Sequence, residues 1–329
     1  MGETVVRAPD FWGKGNAGLV STVLLPLSWI YGLVARVRFM AARPWRAPVP
    51  VLCIGNLVAG GAGKTPVALD IGARLLGRGV AVHFLTRGYG GRNAGPLRVD
   101  PDRHDFHEVG DEALLLARCA PTWVARDRVA GARAAIAAGA AAIVMDDGFQ
   151  NPSLEKDLSL VVVDGGHGFG NGRLMPAGPL RETVTAGLAR AQGVVIIGAD
   201  ETGVAQLSPR VLRARLKPGP EAASLSGKAV VAFAGIGDPG KFFDTLRAVE
   251  CRVEAAHAFP DHHPFTETEI ERLCHQARDL GVVPVTTAKD AVRLPSNEGN
   301  EIKVLTITLE WEDEAALDTI LRPVMDGKK

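Results

Sequence analysis

The run VAGGAGKTP, Val58 to Pro66, constrains this chain more than any other segment. It follows the apolar stretch VPVLCIGN (Val49–Asn56) and opens TPVALDIGARLLGRG, whose apolar spacing is helical. A glycine-rich turn between a strand and a helix leaves backbone N–H groups free to wrap phosphate oxygens. The helix N-terminus adds its unpaired N–H groups and the positive end of its dipole. Lys64 supplies a mobile cation for β- and γ-phosphates, and the Thr65 hydroxyl suits Mg²⁺. Pro66 costs nothing in the first turn, because its missing N–H would have been unpaired there. The phosphate cradle is therefore expected to be Val58, Ala59, Gly60, Gly61, Ala62, Gly63, Lys64 and Thr65. The general pattern G-x-x-x-x-G-K-[ST] has a glycine where this chain has Val58, so Gly60 and Gly61 must supply the flexibility.

Apolar runs at Val80–Gly88, Ala141–Gly148, Leu158–Gly166 and Gly193–Asp200 read as further strands. They are apolar on both faces, as strands of a parallel sheet covered by helices are. The pattern lapses between Ser208 and Lys228, and KAVVAFAGIG, GVVPVTTAK and EIKVLTITLEW then read as strands of a second unit. The expected fold is α/β: a P-loop NTPase-like, mostly parallel sheet, a second, smaller α/β lobe and an apolar N-terminal helix. The expected boundaries are 1–46 for a membrane-associating segment, 47–207 for the P-loop core, 208–227 for a linker and 228–329 for a lobe closing the cleft. A chain of 329 residues suits two modest domains. Lys+Arg 37 balances Asp+Glu 37, so no global basic field points to nucleic acid. The four cysteines form no C-x-x-C pair, which excludes a cysteine zinc knuckle and any disulfide framework.

Carboxylates and basic residues gather where those strands end. Asp146 and Asp147 close the run AAIVMDDG, at the sheet edge where open α/β folds bind ligands, and one of them should complete a magnesium site with Thr65. Arg87 in RGYGG suits a phosphate and Tyr89 could stack on a sugar ring, although a plain turn explains the segment as well. In EVGDEALLLA, Asp111 and Glu112 read either as an acidic first helical turn or as a base for an acceptor hydroxyl. FPDHHPF offers Asp261, His262 and His263; adjacent residues seldom converge on zinc, so proton transfer with a carboxylate is the better reading. Gly235, Gly237 and Gly240 match the dinucleotide pattern G-x-G-x-x-G, but Asp238 would face a pyrophosphate. The loop GGHGFGNGRLMPAGPLRE carries Asn171, Arg173 and Arg181 as polar handles.

No charge interrupts Gly15 to Ala35. A helix of that length is about 30 Å long, enough to cross a hydrocarbon core. Pro26 and several small polar residues argue against a clean span. Trp12, Trp29 and Tyr31 suit a membrane interface, and Arg36, Arg38, Arg43 and Arg46 suit anionic headgroups. The expectation is an anchor lying in or partly entering the membrane; a buried core helix and a true span are the alternatives.

In order along residues 55–265, GNLVAGGAGKTP, LTRGYGG, VGDEALLLA, MDDGFQN, VVDGGHGFGNGRLMPAGPLRE, GIGDPGKFF and FPDHHPF make the chain resemble the tetraacyldisaccharide 4'-kinases. The resemblance implies transfer of the ATP γ-phosphate to the 4'-hydroxyl of a tetraacylated glucosamine disaccharide 1-phosphate, giving lipid IVA in lipid A synthesis. It further implies work at the cytoplasmic face of the bacterial inner membrane, with no nucleic acid and no obligate protein partner. By the same resemblance Asp111 is the base assisted by His262, and Lys64, Thr65, Asp146 and Asp147 handle ATP and Mg²⁺. Arg87, Tyr89, Arg126, Gln150 and Asn171 lie in segments that the family uses around donor and lipid. The rival classes are a P-loop partitioning ATPase, disfavoured because Ala59 stands where those carry lysine, and a membrane-tethered nucleotide-binding module without turnover.

Overall fold

Every residue of β1 (Val51–Gly55) is buried, so the strand must be covered on both faces. Leu52 and Ile54 enter one core with Ile71, Leu75 and Phe84, while Val51 and Cys53 enter another with Leu57, Leu85 and Met145. The computed structural model describes residues 9–15, 18–295 and 302–326. After β1 come β2 (Val82–Thr86), β3 (Leu97–Arg98), β4 (Thr122–Val124), β5 (Ala142–Asp146), β6 (Leu158–Asp164), β7 (Gly193–Ile197) and β8 (Val211–Pro218). Then follow β9 (Ala229–Ala234), β10 (Arg252–Ala258), β11 (Val283–Thr287), β12 (Lys303–Leu305) and β13 (Ile307–Trp311).

The large sheet has the order β13-β8-β7-β6-β1-β5-β2-β4-β3. All its neighbours pair in parallel except the outer pairs β13–β8 and β3–β4. The small sheet, β10-β9-β11-β12, is wholly parallel. A mostly parallel sheet with a smaller α/β lobe is the fold expected above.

The boundaries differ from expectation. Residues 208–227 are not a linker, because β8 lies within them and pairs with β7. Only one face of β8 is well buried, through Leu212 and Ala214, and Arg213, Arg215 and Lys217 gave it a loop-like composition. EIKVLTITLEW splits after Leu305: β12 completes the small sheet, and β13 returns to pair with β8. The helix Glu314–Met325 buries Leu317, Leu321 and Val324 in the large-lobe core. The small lobe is thus inserted between β8 and β13, and Pro218 faces Ile307 at its neck.

Near the N-terminus, helices Leu19–Val23 and Leu25–Ala41 run almost end to end, with Pro26 in the first turn of the second. Their polarity is inverted. The buried residues are Ser21 and Ser28, whereas Leu19, Val23, Leu27, Trp29, Ile30, Leu33, Val34, Val37 and Met40 are exposed. Ser21 Oγ donates to Ala177 O and Ser28 Oγ to Leu174 O at 2.8 Å, so the serines fasten the helices to the loop before α/β core residue Leu180. This overturns the buried-core alternative. No helix among the described residues is long and apolar enough to cross a membrane; residues 1–8 and 16–17 of the expected 1–46 segment lie outside them.

If the last helix belongs to the large lobe, Leu317→Ala should destabilise that lobe by about 2–5 kcal/mol through cavity formation. Hydrogen exchange should then quicken across β1, β5 and β6. Acceleration confined to β9–β12 would restore the sequence-based boundary.

Candidate active site

Parallel pairing sets Ile54 of β1 beside Asp146 of β5, so the phosphate loop leaves the sheet next to an aspartate. Gly63 caps the helix Lys64–Gly77 at φ +80°, a left-handed conformation that favours glycine. From the first turn of that helix, Thr65 Oγ1 donates to Asp146 Oδ2 at 2.9 Å. Asp146 is only 2% exposed, and burial pushes its carboxyl up to about 6 although Lys64 and Thr65 oppose the shift. Its other oxygen, Oδ1, is buried without a hydrogen-bond partner. A hard-oxygen set with one orphaned lone-pair site fits Mg²⁺.

Asp147 does different work. Its backbone is left-handed at φ +55°. Lys64 Nζ lies 3.8 Å from Asp147 Oδ1 and Arg181 Nη1 3.0 Å from it. Burial pushes this carboxyl up, but Lys64 and Arg181 outweigh it and hold the group below the ordinary range. Arg181 also donates to Gln150 Oε1 at 3.3 Å, and Gln150 Nε2 donates to Asn56 O at 2.8 Å and to Glu182 Oε1 at 3.2 Å. Glu182 pairs with Arg190 at 2.7 Å, and that guanidinium lies over both Phe39 and Phe149. Gln150 is therefore a brace beside the phosphate loop, joined to the N-terminal helix through Arg190.

Across the cleft, Asp111 opens the helix Asp111–Ala117 behind Gly110, whose φ of +85° bends the chain sharply there. The carboxylate is 3% exposed and does not cap its helix; Asp111 Oδ2 instead lies 2.8 Å from His262 Nδ1. This contact joins the lobes, since His262 stands after β10. Burial opposes ionisation of Asp111, yet hydrogen bonds with His262 and the Glu112 carboxyl, and the charge of Lys289, hold its carboxyl far below the ordinary range. The bond to Asp111 pushes the His262 imidazole up, against burial and the Lys289 charge. Burial, together with the hydrogen bond and charge of Asp111, pushes Glu112 up to about 7.

The remaining sequence candidates divide. Arg87, Tyr89 and Arg126 line the same cleft of about 3070 Å³ as Lys64, Thr65, His262 and Lys289. The Tyr89 ring centroid is 6.0 Å from that of His262. Asn171 does not line the cleft: its amide donates to Phe11 O at 2.7 Å and Ala177 O at 2.9 Å, and its Oδ1 accepts Arg173 N at 3.0 Å. Those bonds saturate it as a fastening for the N-terminal helices, as Arg173 is through Ser21 and Thr22. His263 turns to Glu269 at 3.1 Å and stacks on Phe259, so it does not join His262 around zinc. The dinucleotide-like glycines serve His262: Gly235 O accepts His262 N at 3.0 Å and Arg293 Nη2 at 2.9 Å. Sequence reasoning passed over Lys289, Asp290 and Arg293. Their signal was TTAKDAVR, three charged residues packed just after an apolar strand.

A phosphate loop, a pair of aspartates at the neighbouring strand end and an acidic–imidazole pair spanning two lobes define a P-loop phosphotransferase. The family model LpxK, tetraacyldisaccharide-1-P 4'-kinase, matches residues 20–326. The chain belongs to that family, whose reaction is the phosphorylation of the lipid A precursor. It is 54% identical to the tetraacyldisaccharide 4'-kinase of Rhodospirillum centenum, across 98% of each chain. Against that of Paramagnetospirillum magneticum it is 55% identical, again across 98% of each. The crystal structure of Aquifex aeolicus LpxK in complex with ATP superposes with a TM-score of 0.73 at 25% identity, covering 93% of this chain and 100% of that one.

Burial raises the Asp146 carboxyl above its unfolded value, so its ionisation costs stability as pH rises through about 6 and costs nothing below the unfolded range. In EDTA at pH 8, Asp146→Asn should therefore be more stable than the wild type by about 1–3 kcal/mol, with the gain shrinking towards pH 4. Denaturant titrations at both pH values would show it. A variant less stable at pH 8 would refute the burial argument.

Proposed function

We propose that the triphosphate of ATP lies over Val58–Thr65, with Lys64 on the β/γ-phosphates, and that Asp111 accepts the proton of the 4'-hydroxyl with His262 as its partner. The observation that carries this reading is the 2.8 Å contact between the buried Asp111 and His262, whose imidazole lines the same cleft as Lys64 and Thr65. Thr65 and Asp146 would hold Mg²⁺ through the hydroxyl and the orphaned oxygen, and Asp147 would serve chiefly to anchor Lys64 and Arg181. When bound, the ion neutralises charge on the β- and γ-phosphate oxygens. Arg87, Tyr89 and Arg126 border the space left for the acylated disaccharide. Phosphoryl transfer needs little covalent help from a protein, so positioned charge and one proton acceptor suffice.

The exposed apolar face of residues 19–40 would seat the enzyme on the cytoplasmic face of the inner membrane. A tetraacylated sugar stays in the bilayer and presents its headgroup, so an enzyme lying in the interface meets it without extracting it. Burying several large apolar side chains at about 1.5–3 kcal/mol each outweighs the fringe arginines at about 1 kcal/mol each.

Asp111→Ala should lower kcat by about 10²–10⁴ with little change in KM for ATP. His262→Ala should act on the same parameter, and the double variant should fall short of the product of the two losses. Multiplicative losses, or an Asp111 defect confined to thermal stability, would count against the pair. Lipid-dependent release of ADP separates the kinase from a partitioning ATPase and from a module without turnover.

The triple change Ile30→Ser, Leu33→Ser and Val37→Ser touches exposed positions only, so the fold should persist. It should abolish sedimentation with anionic vesicles while sparing turnover of detergent-dispersed substrate. High salt should leave the wild type on the vesicles. Undiminished vesicle binding by the triple variant would sink the anchor.

A further inference from the structure

Lys289 sits where a metal ion could otherwise lie. Ligand atoms of Asp111, Glu112 and His262 fall within 4.8 Å of one another, a spacing that suits a cation. The Lys289 ammonium is 3.3 Å from His262 Nε2, 3.4 Å from Glu112 Oε1, 3.5 Å from Asp261 Oδ1 and 3.9 Å from Asp111 Oδ2. Burial would push this ammonium down, but Glu112, Asp111 and Asp261 outweigh it and hold it above the ordinary range.

One frame carries both Lys289 and His262. Lys289 stands on the short helix Ala288–Ala291, capped by Thr287 through the Asp290 N–H. Asp290 is fully buried and accepts Gly235 N at 2.9 Å, Thr287 Oγ1 at 2.5 Å and Arg293 Nη2 at 2.5 Å. Arg293 in turn holds Gly235 O, the oxygen that also receives the His262 N–H.

We infer that Lys289 is a positioning residue that fixes His262 in the tautomer with its proton on Nδ1, and thereby commits Asp111 as the proton acceptor. This rests on the roles proposed above for Asp111 and His262. An ammonium can only donate, so His262 Nε2 beside it must accept. The proton of the neutral ring then resides on Nδ1 and is donated to Asp111 Oδ2. That leaves Asp111 Oδ1, which accepts the Glu112 N–H at 3.2 Å, as the oxygen able to take a further proton. In the transfer the hydroxyl proton passes to this oxygen. The hydroxyl oxygen forms its bond to the γ-phosphorus, and the bond to the β,γ-bridging oxygen breaks with its electron pair leaving on ADP. The groups facing the pair are Lys289 and Arg293 from one helical segment, Glu112 beside Asp111, Asp261 beside His262, and the Tyr89 ring.

The sign of the effect follows from charge. Lys289 disfavours a cationic imidazole, so its removal should raise the pH at which His262 becomes protonated. An imidazolium beside Asp111 makes that carboxylate a weaker base, and the acid limb of kcat should move up with it. The test uses the full-length protein in detergent, labelled with [¹⁵N]histidine, with the His262 signals assigned through His262→Gln. Wild type should show the Nδ1–H pattern at pH values above its own His262 midpoint, where the ring is neutral. In Lys289→Met the midpoint of His262 should rise by about 1 pH unit, the Nδ1–H preference should fade, and the acid limb of kcat should follow while KM for ATP stays within about twofold. Lys289→Arg keeps the charge and should lie between the two; it also serves should the methionine variant not fold. An imidazole with unchanged midpoint and tautomer in these variants overturns the inference, whatever the activity. Full activity in Asp111→Asn would instead overturn the underlying assignment of the base, and the tautomer measurement would still report on Lys289.

Discussion

The parallel pairing of β1 with β5 and β6 is the constraint on which the site depends. Parallel strands deliver all their carboxyl ends to one edge of the sheet. Because β1 is central, the phosphate loop emerges between Asp146 on one side and Asp164 on the other. Thr65 can reach Asp146 only because the register sets Ile54 opposite it. The small lobe is then hung from the antiparallel pair β8–β13, so its loops overhang the same edge, where Lys241 meets Asp164 at 3.1 Å and His262 meets Asp111.

Charge separates what the two neighbouring aspartates do. Asp146 is buried and Asp147 half-exposed, and their carboxyls are pushed in opposite directions. Asp147 has two cations within 4 Å and gains from being ionised. Asp146 has the Thr65 hydroxyl on one oxygen and no partner on the other, and the Lys64 charge only partly offsets its burial. Under the proposed magnesium assignment this cost would be that of a ligand position held open, the usual way in which a functional site trades against stability. Lys289 answers the same need on the opposite wall by a permanent positive charge.

Local chemistry made the phosphate loop legible, because glycines, lysine and threonine act within one turn and announce the turn by their order. The five apolar strands around it were legible for a related reason: burial on both faces leaves an uninterrupted apolar run. β8 and β10 were not, since each has one poorly covered face and alternates with charged residues, as in RVEAAHA. Asp111 and His262 are 151 residues apart, and their meeting depends on how the inserted lobe folds back, so only resemblance to a family joined them in advance. Asn171 misled because a polar residue in a glycine-rich loop looks alike whether it greets a ligand or clasps a helix. Lys289 went unread because nothing in TTAKDAVR states what lies across the cleft.

The inside-out N-terminal helix has a mechanical consequence. Ser21 and Ser28 bind it to backbone carbonyls of the Leu174–Ala177 turn, and Arg190 wedges between Phe39 and the brace beside the phosphate loop. No slack chain separates the greasy face from the catalytic floor. On the membrane seating proposed above, a flexible tether would let the enzyme sample many heights above a bilayer, whereas this fastening would act as a depth gauge. If the apolar face sets the water line, the elevation of Lys64 and Asp111 over the headgroups is fixed with it. A lipid whose reactive hydroxyl rides at another elevation would miss the chemistry however well its sugar fitted.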